Sequence, residues 1–354
     1  MTAGTAVGAG QAVGAKRAMA LWLLIVAGLV FLMVMLGGAT RLTQSGLSMV
    51  HWQFAGALPP MDEAQWTAEF ARYKQFPEYQ KINRGMALAE FKTIYWFEYS
   101  HRMLGRLIGL AFALPFAWFL IRGQVGRCLW PKLTGLLLLG GLQGLVGWWM
   151  VKSGLVDRPD VSHYRLTVHL GLAFAIFGAL LWVALDLLKP IRPDSALARS
   201  SLKGWALAVV LMVFTQSLLG GLVAGLNAGL VYNTFPLMNG MLFPPELFHA
   251  TPWWLNLLEN PVTLQFNHRV GALAVTIAIV VVWLRSRRGG YGRGTRRAFD
   301  ALLLALVGQL MLGVLTLIHM VPVVLGVAHQ GGALVLLASS IVVAHRLNRG
   351  RMPA

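Results

Sequence analysis

Glu98-Tyr99-Ser100-His101-Arg102 stands at the doorway of one long apolar run, and Gln265-Phe266-Asn267-His268-Arg269 opens another in the second half of the chain. Two further histidines, His169 and His329, sit early in apolar runs that follow each cluster after one intervening run. Four histidines in two matched pairs are the feature that any fold must explain.

The surroundings of these clusters set the fold class. The chain is 57% hydrophobic and 12% charged over 354 residues, whereas ordinary soluble domains are about a quarter charged. Eight stretches approach the twenty or so apolar residues that cross a bilayer as a helix. They cover residues 18–38, 101–121, 133–151, 166–188, 204–222, 268–284, 301–318 and 325–344. The expected fold is an all-α integral membrane protein of eight transmembrane helices, arranged as two pseudo-symmetric four-helix bundles.

Charge orients these spans, because Lys and Arg near span ends stay on the cytoplasmic side. The sixth-to-seventh connection carries Arg285, Arg287, Arg288, Arg293, Arg296 and Arg297, while residues 223–267 contain no Lys or Arg. Arg122, Arg127 and Lys132 mark the second-to-third turn as internal, and Lys189, Arg192, Arg199 and Lys203 do so for the fourth-to-fifth. Both termini are therefore expected in the cytoplasm. The net charge of +17 follows from this internal excess plus the arginines beside the histidines, so no nucleic-acid partner is needed to explain it. A single cysteine, Cys128, excludes intrachain disulfides and cysteine-ligated metal centres. The first apolar run, 21 residues long, is too long for a typical signal peptide and reads as a retained anchor.

The repeat extends beyond the histidines. Gly37, Gly38, Gly46 and Leu47 match Gly220, Gly221, Gly229 and Leu230 at a constant offset of 183. The third and seventh spans share a Gln-x-x-x-Gly step, Gln143 to Gly147 and Gln309 to Gly313. Two copies of a four-span unit keep the same orientation, so the halves should be related by an axis along the membrane normal. The organisation read from this is a tail at 1–17, a first half at 18–188, a linker at 189–203, a second half at 204–346 and a tail at 347–354. Residues 41–99, with six basic and six acidic side chains, form an outer connection expected to be partly helical and solvated.

All four histidines begin even-numbered spans, which run in the same direction, so their imidazoles share one depth near the outer face. Each half then offers two facing imidazoles inside a four-helix bundle, which is how bundles hold a haem iron. A single histidine at a span end is most often an interfacial polar residue; four at repeat-related positions are not explained that way. His51, His163, His249, His319 and His345 lack this support and are read as structural or solvated. Arg41, Arg102, Arg106 and Arg269 lie where haem propionates would need cations, although snorkelling to headgroups accounts for such arginines equally well. The Gly37-Gly38 and Gly220-Gly221 pairs fit close helix packing or cofactor access.

One difference separates the halves: Glu98 precedes His101 by three residues, where Gln265 precedes His268. If the helix extends outward by one turn, Glu98 lies beside the first imidazole pocket, and a carboxylate there can exchange a proton. That makes the first half the reactive site and the second a fixed electron-transfer site. Pairing of Glu98 with Arg102 on the next turn is the plainer alternative.

At these residues the chain resembles the heme A synthase family, from Gly37-Gly38-Ala39-Thr40-Arg41-Leu42-Thr43 through Glu98-Tyr99-Ser100-His101-Arg102 and Thr167-Val168-His169 to Asn267-His268-Arg269 and Ala328-His329-Gln330. The resemblance implies a heme b cofactor on His268 and His329, and a substrate haem on His101 and His169. It also implies conversion of heme O to heme A by two oxidations of the C8 methyl, in a bacterial inner membrane. Some members carry cysteine pairs in the outer connections; none stands here, as in the proteobacterial and mitochondrial branch. Glu98, His101 and His169 are the expected catalytic residues. The expected partners are heme O, the farnesylating enzyme that makes it, a membrane electron acceptor, lipid and a second copy of the chain. A bis-histidine cytochrome oxidising quinol and a haem carrier remain as other readings of the residues.

Overall fold

The computed structural model describes residues 3–50, 58–155, 159–188 and 201–348; side chains are described from residue 14 onward. His51, Lys189, Arg192 and Arg199 lie outside these residues, as does most of the 347–354 tail.

Eight helices among the described residues are long and apolar enough to cross a membrane. In chain order the helices are α1 (Ala3–Leu42), α2 (Glu63–Tyr73), α3 (Pro77–Lys81), α4 (Leu88–Ile121), α5 (Trp130–Gly154), α6 (His163–Leu187), α7 (Lys203–Gly225), α8 (Pro261–Arg288), α9 (Arg293–Ile318) and α10 (Val323–Asn348). No strand occurs among the described residues. The protein is an all-α, multi-pass membrane protein.

Helices α1, α6, α7 and α10 pack on one another as an inner ring, with α4 and α5 outside one side of it and α8 and α9 outside the other. This follows from composition. The inner helices bring Val26, Val30, Phe174, Phe177, Val209, Val213, Leu334 and Leu337 into one buried cluster, whereas the outer helices turn leucines such as Leu107, Leu138, Leu273 and Leu304 outward. Helices that are apolar all round belong in lipid or in a core, and polar glue between them is sparse. The Trp22 indole donates to Ala111 O at 2.8 Å, and Gln330 Nε2 to Val34 O at 3.1 Å. At the far end Asp186 on α6 accepts from Lys132 Nζ at 3.1 Å and from His345 Nε2 at 3.0 Å.

The helix starts position the histidines. Asn260 caps α8 by accepting from the Val262 and Thr263 amides, with Pro261 at the first turn, where its missing N–H costs nothing. Helix α4 starts at Leu88, with the Glu90 carboxylate accepting from the Ala87 amide at 2.8 Å. It therefore extends well beyond the single extra turn expected before His101, and Glu98 and His101 share a helical face.

The connection between α1 and α4 is helical as expected, but it is not merely solvated. Trp66, Phe70 and Tyr73 bury against Phe91 and Tyr95 at the projecting end of α4, forming a separate aromatic core. The alternation of charges in residues 62–92 conceals this, because α2 is amphipathic and only its aromatic face is covered.

Candidate functional site

All four histidines line one cavity of about 2420 Å³ that runs through both halves. His268 and His329 stand with ring centroids 6.5 Å apart and planes at 80°. His101 and His169 border the same space from α4 and α6.

Each imidazole lies against the bare backbone of a glycine on a neighbouring helix. A Cβ at Gly37 would fall 3.0 Å from His101 Cε1, and one at Gly220 3.2 Å from His268 Cε1. At Gly147 it would fall 2.9 Å from His169 Cε1, and at Gly313 2.8 Å from His329 Cε1. Gly37, Gly147, Gly220 and Gly313 are thus imidazole seats, whereas Gly38 and Gly221 lie against Gln330 and Thr167 on neighbouring helices. The glutamine of each Gln-x-x-x-Gly step lies one turn away. Gln143 Nε2 donates to His169 O at 3.1 Å, while Gln309 packs beside Gly332 on α10.

His268 and His329 fit a haem iron, and His101 and His169 border the same cavity. Two imidazoles bound on opposite sides of one metal, with bonds of about 2 Å each, put their centroids roughly 6 Å apart, close to the separation of His268 and His329. Nδ1 of His101, His169 and His329 packs against its seating glycine, sealed from solvent and with no hydrogen-bond partner among the described residues. The cavity wall is mostly apolar, as a porphyrin face requires.

A family model described as cytochrome oxidase assembly protein, COX15-CtaA, matches residues 20–341. The chain belongs to this family. Among its relatives it is 50% identical over 343 residues to a heme A synthase of Nitrosospira multiformis, covering 96% of each chain. It is 52% identical over 353 residues to one of Rhodospirillum centenum, covering 98% of this chain and 93% of the relative. A heme A synthase of Parvibaculum lavamentivorans is 50% identical over 336 residues, 94% of each.

Within this COX15-CtaA chain the polar residues predicted from sequence all border the cavity, but with partners of their own. Glu98, 3% exposed, accepts from Ser48 Oγ and from the Met49 amide, both at 2.7 Å, and pairs with Arg102. Arg102 also donates to Met49 O at 2.9 Å. Gln265 and Arg269 make the matching clamp in the second half: both donate to Tyr232 O, at 2.9 and 3.0 Å, and Arg269 reaches Thr234 O and Pro236 O as well. The residues three before and one after each leading histidine therefore hold the segment that follows the preceding odd span. Arg41 crosses to the other half, donating to Ala224 O and Asn227 Oδ1 at 3.0 Å each. Arg106 contacts Met103 Sδ at 3.2 Å. Four cations thus line the cavity, three of them also serving as backbone clamps.

Among the remaining histidines, His249 and His319 are exposed. His345 is buried against Asp186 and Trp182, and His163 sits 3.6 Å from Glu259. Sequence reasoning missed Glu78, which is 4% exposed and borders the cavity. It accepts from the Tyr73 hydroxyl at 2.9 Å. Burial pushes its carboxyl up to about 8, with Glu98 and Asp160 adding to the rise against the Tyr73 hydrogen bond. In sequence it is one of six acids in a mixed-charge connection, with nothing to set it apart.

Proposed function

We propose that the protein is a heme A synthase that oxidises the C8 methyl of heme O to a formyl group for terminal oxidases, by two hydroxylations with oxygen from water. The observation that carries this reading is the doubled imidazole site in one cavity, in which only the first copy has a carboxylate, Glu98, where the second has Gln265. A cytochrome that only relays electrons has no use for that difference.

In this reading the first half, residues 18–188, holds the substrate between His101 and His169, and the second, residues 204–346, holds heme b between His268 and His329. Heme b, when bound, supplies an electron acceptor beside the substrate. The environment of the leading histidines supports the assignment. Gln216 Nε2 lies 3.0 Å from His268 Nδ1 and donates to His268 O at 2.8 Å, so the amide packs against this ring and restricts its rotation. The residue 183 positions earlier is Met33, and among the described residues His101 Nδ1 has no hydrogen-bond partner. A firmly oriented imidazole suits a resident haem, and a looser one suits a substrate that must leave.

Each hydroxylation removes two electrons and a proton from the methyl carbon and adds hydroxyl from water, which releases a second proton. The second round gives a hydrated aldehyde that loses water to become formyl. The Glu98 carboxylate, oriented by Ser48 and the Met49 amide, stabilises positive charge developing at the methyl carbon or accepts its proton. Arg41, Arg102, Arg106 and Arg269 supply the charge that propionates require. Electrons pass to a membrane acceptor. In this reading both termini face the cytoplasm and the haems lie near the outer face of the bacterial inner membrane, which the charge asymmetry of the connections supports. Direct transfer from a heme O synthase suits a farnesylated porphyrin, which water would exclude.

Haem extracted from membranes of cells that make heme O, with and without this protein, tests the reading by chromatography. Heme A should appear only with the protein. A haem profile that does not change would refute synthesis and return the protein to the cytochrome or carrier class.

A further inference from the structure

The two halves differ where α4 meets α5. Counting from the Gln-x-x-x-Gly steps, which align at an offset of 166, Gly140 and Gly144 correspond to Leu306 and Leu310. Counting from the leading histidines, at an offset of 167, Gly105 and Gly109 correspond to Ala272 and Thr276. The first half has therefore lost four side chains from the walls below its histidines, and all eight positions line the cavity. Helices α4 and α5 also pack more sparsely on each other than α8 and α9 do. A Cβ at Gly109, Gly140 or Gly144 would meet no atom within 4 Å, so these glycines do not serve close helix packing.

The open seam belongs to a ligand site, as a second observation indicates. His101 and His169 line the same cavity as these glycines, and Ile108, Phe112, Leu136 and Leu137 carry its apolar wall further along α4 and α5. From Gly147, under His169, to Gly140 the strip descends seven residues, about 10 Å at the helical rise, away from the histidines and into the middle of the apolar bundle.

We infer that the seam between α4 and α5 is the groove for the isoprenoid tail of the substrate haem. The inference rests on the heme A synthase reading and deepens it. A farnesyl chain is apolar and needs a long, side-chain-free wall beside its porphyrin. The second half closes the same place with Leu306 and Leu310, which suits a haem with no tail. The seam therefore distinguishes tailed from untailed haem, a selection that the histidines themselves cannot make.

The test is a spectroscopic titration of purified full-length protein, already loaded with protohaem in the second half, with heme O or with further protohaem. Wild type is compared with the double variant Gly140→Leu/Gly144→Leu, which installs the second half's residues in open space. The variant should bind heme O more weakly by about tenfold or more while its first-half affinity for protohaem stays unchanged. Heme O affinity equal to wild type, as expected if lipid acyl chains fill the seam, would overturn the groove. So would equal losses for both haems. Failure of the wild-type first half to bind either haem would instead overturn the functional reading on which the groove stands.

Discussion

Gly147 on α5 lies directly under His169 on α6, so close that a methyl group on the glycine would sit 2.9 Å from the imidazole Cε1. Gly313 stands in the same relation to His329, at 2.8 Å. Forcing an extra carbon into such a contact typically costs about 1–3 kcal/mol, and here the yielding part is the imidazole itself.

Gly313→Ala should therefore weaken heme b binding by about tenfold to a hundredfold, and Gly147→Ala should do the same for the substrate haem, each leaving the other half unaffected. Absorption titrations on the purified variants measure both. Unaltered affinities would mean that the imidazoles are free to slide and that the glycines are not seats.

Glu98 and Arg102 are buried as a pair, their side chains 3% and 9% exposed. Removing one partner of such a pair costs about 3–5 kcal/mol, because the other is left buried and uncompensated. Arg102→Ala and Glu98→Gln should accordingly each lower the thermal stability of the detergent-solubilised protein, Glu98→Gln by less, because its amide oxygen still accepts from Ser48 and Met49 and Arg102 keeps its bond to Met49 O. Glu98→Gln should retain its haem spectra and yet make no heme A. Undiminished heme A production by that variant would remove Glu98 from the chemistry and leave it only as a clamp on Ser48 and Met49.

The eight spans and the matched histidines could be read from the chain because a membrane helix is specified by length and apolarity, and a repeat by constant offsets. The partners of the polar residues could not. Arg102 and Arg269 look like propionate cations in sequence, yet they hold backbone carbonyls contributed by residues 33 to 53 positions away, and side-chain reach is not encoded in spacing. Likewise Gln143-x-x-x-Gly147 announced a repeat, but its purpose appears only when α6 is laid across it. The aromatic core around Tyr73 and Phe91 was hidden because its residues alternate with solvated charges.

Glu78 gives the outer subdomain a pH dependence. Its carboxyl is raised to about 8 in the folded protein, mainly by burial, so the folded state binds the proton more tightly than the unfolded chain. Its stabilising contribution is fully present below the ordinary carboxylate range and is lost as pH rises through about 8. Tyr73, Glu98 and Asp160 are the titratable groups that act on it. Amide exchange in residues 63–81, corrected for its intrinsic rate, should show looser protection at pH about 9 than at pH about 6, by on the order of a few kcal/mol. Glu78→Gln should flatten that dependence; a profile like wild type would assign the loosening to another group.

At the opposite end, His345 is 3% exposed and donates to Asp186 across the α6–α10 contact. His345→Ala should destabilise the fold by about 1–3 kcal/mol, from the lost bond to Asp186 and the cavity left by a buried ring, without altering either haem spectrum. Haem loss in this variant would show that the far end of the bundle is coupled to the imidazole sites.

The central claim is that one half of the bundle holds a permanent haem and the other a haem in transit. Haem content of protein purified from cells that make no heme O tests it most directly. The expected result is a single low-spin protohaem per chain, absent from His268→Ala and retained in His101→Ala. Colourless wild-type protein, or haem that disappears with His101 and survives loss of His268, would contradict the account.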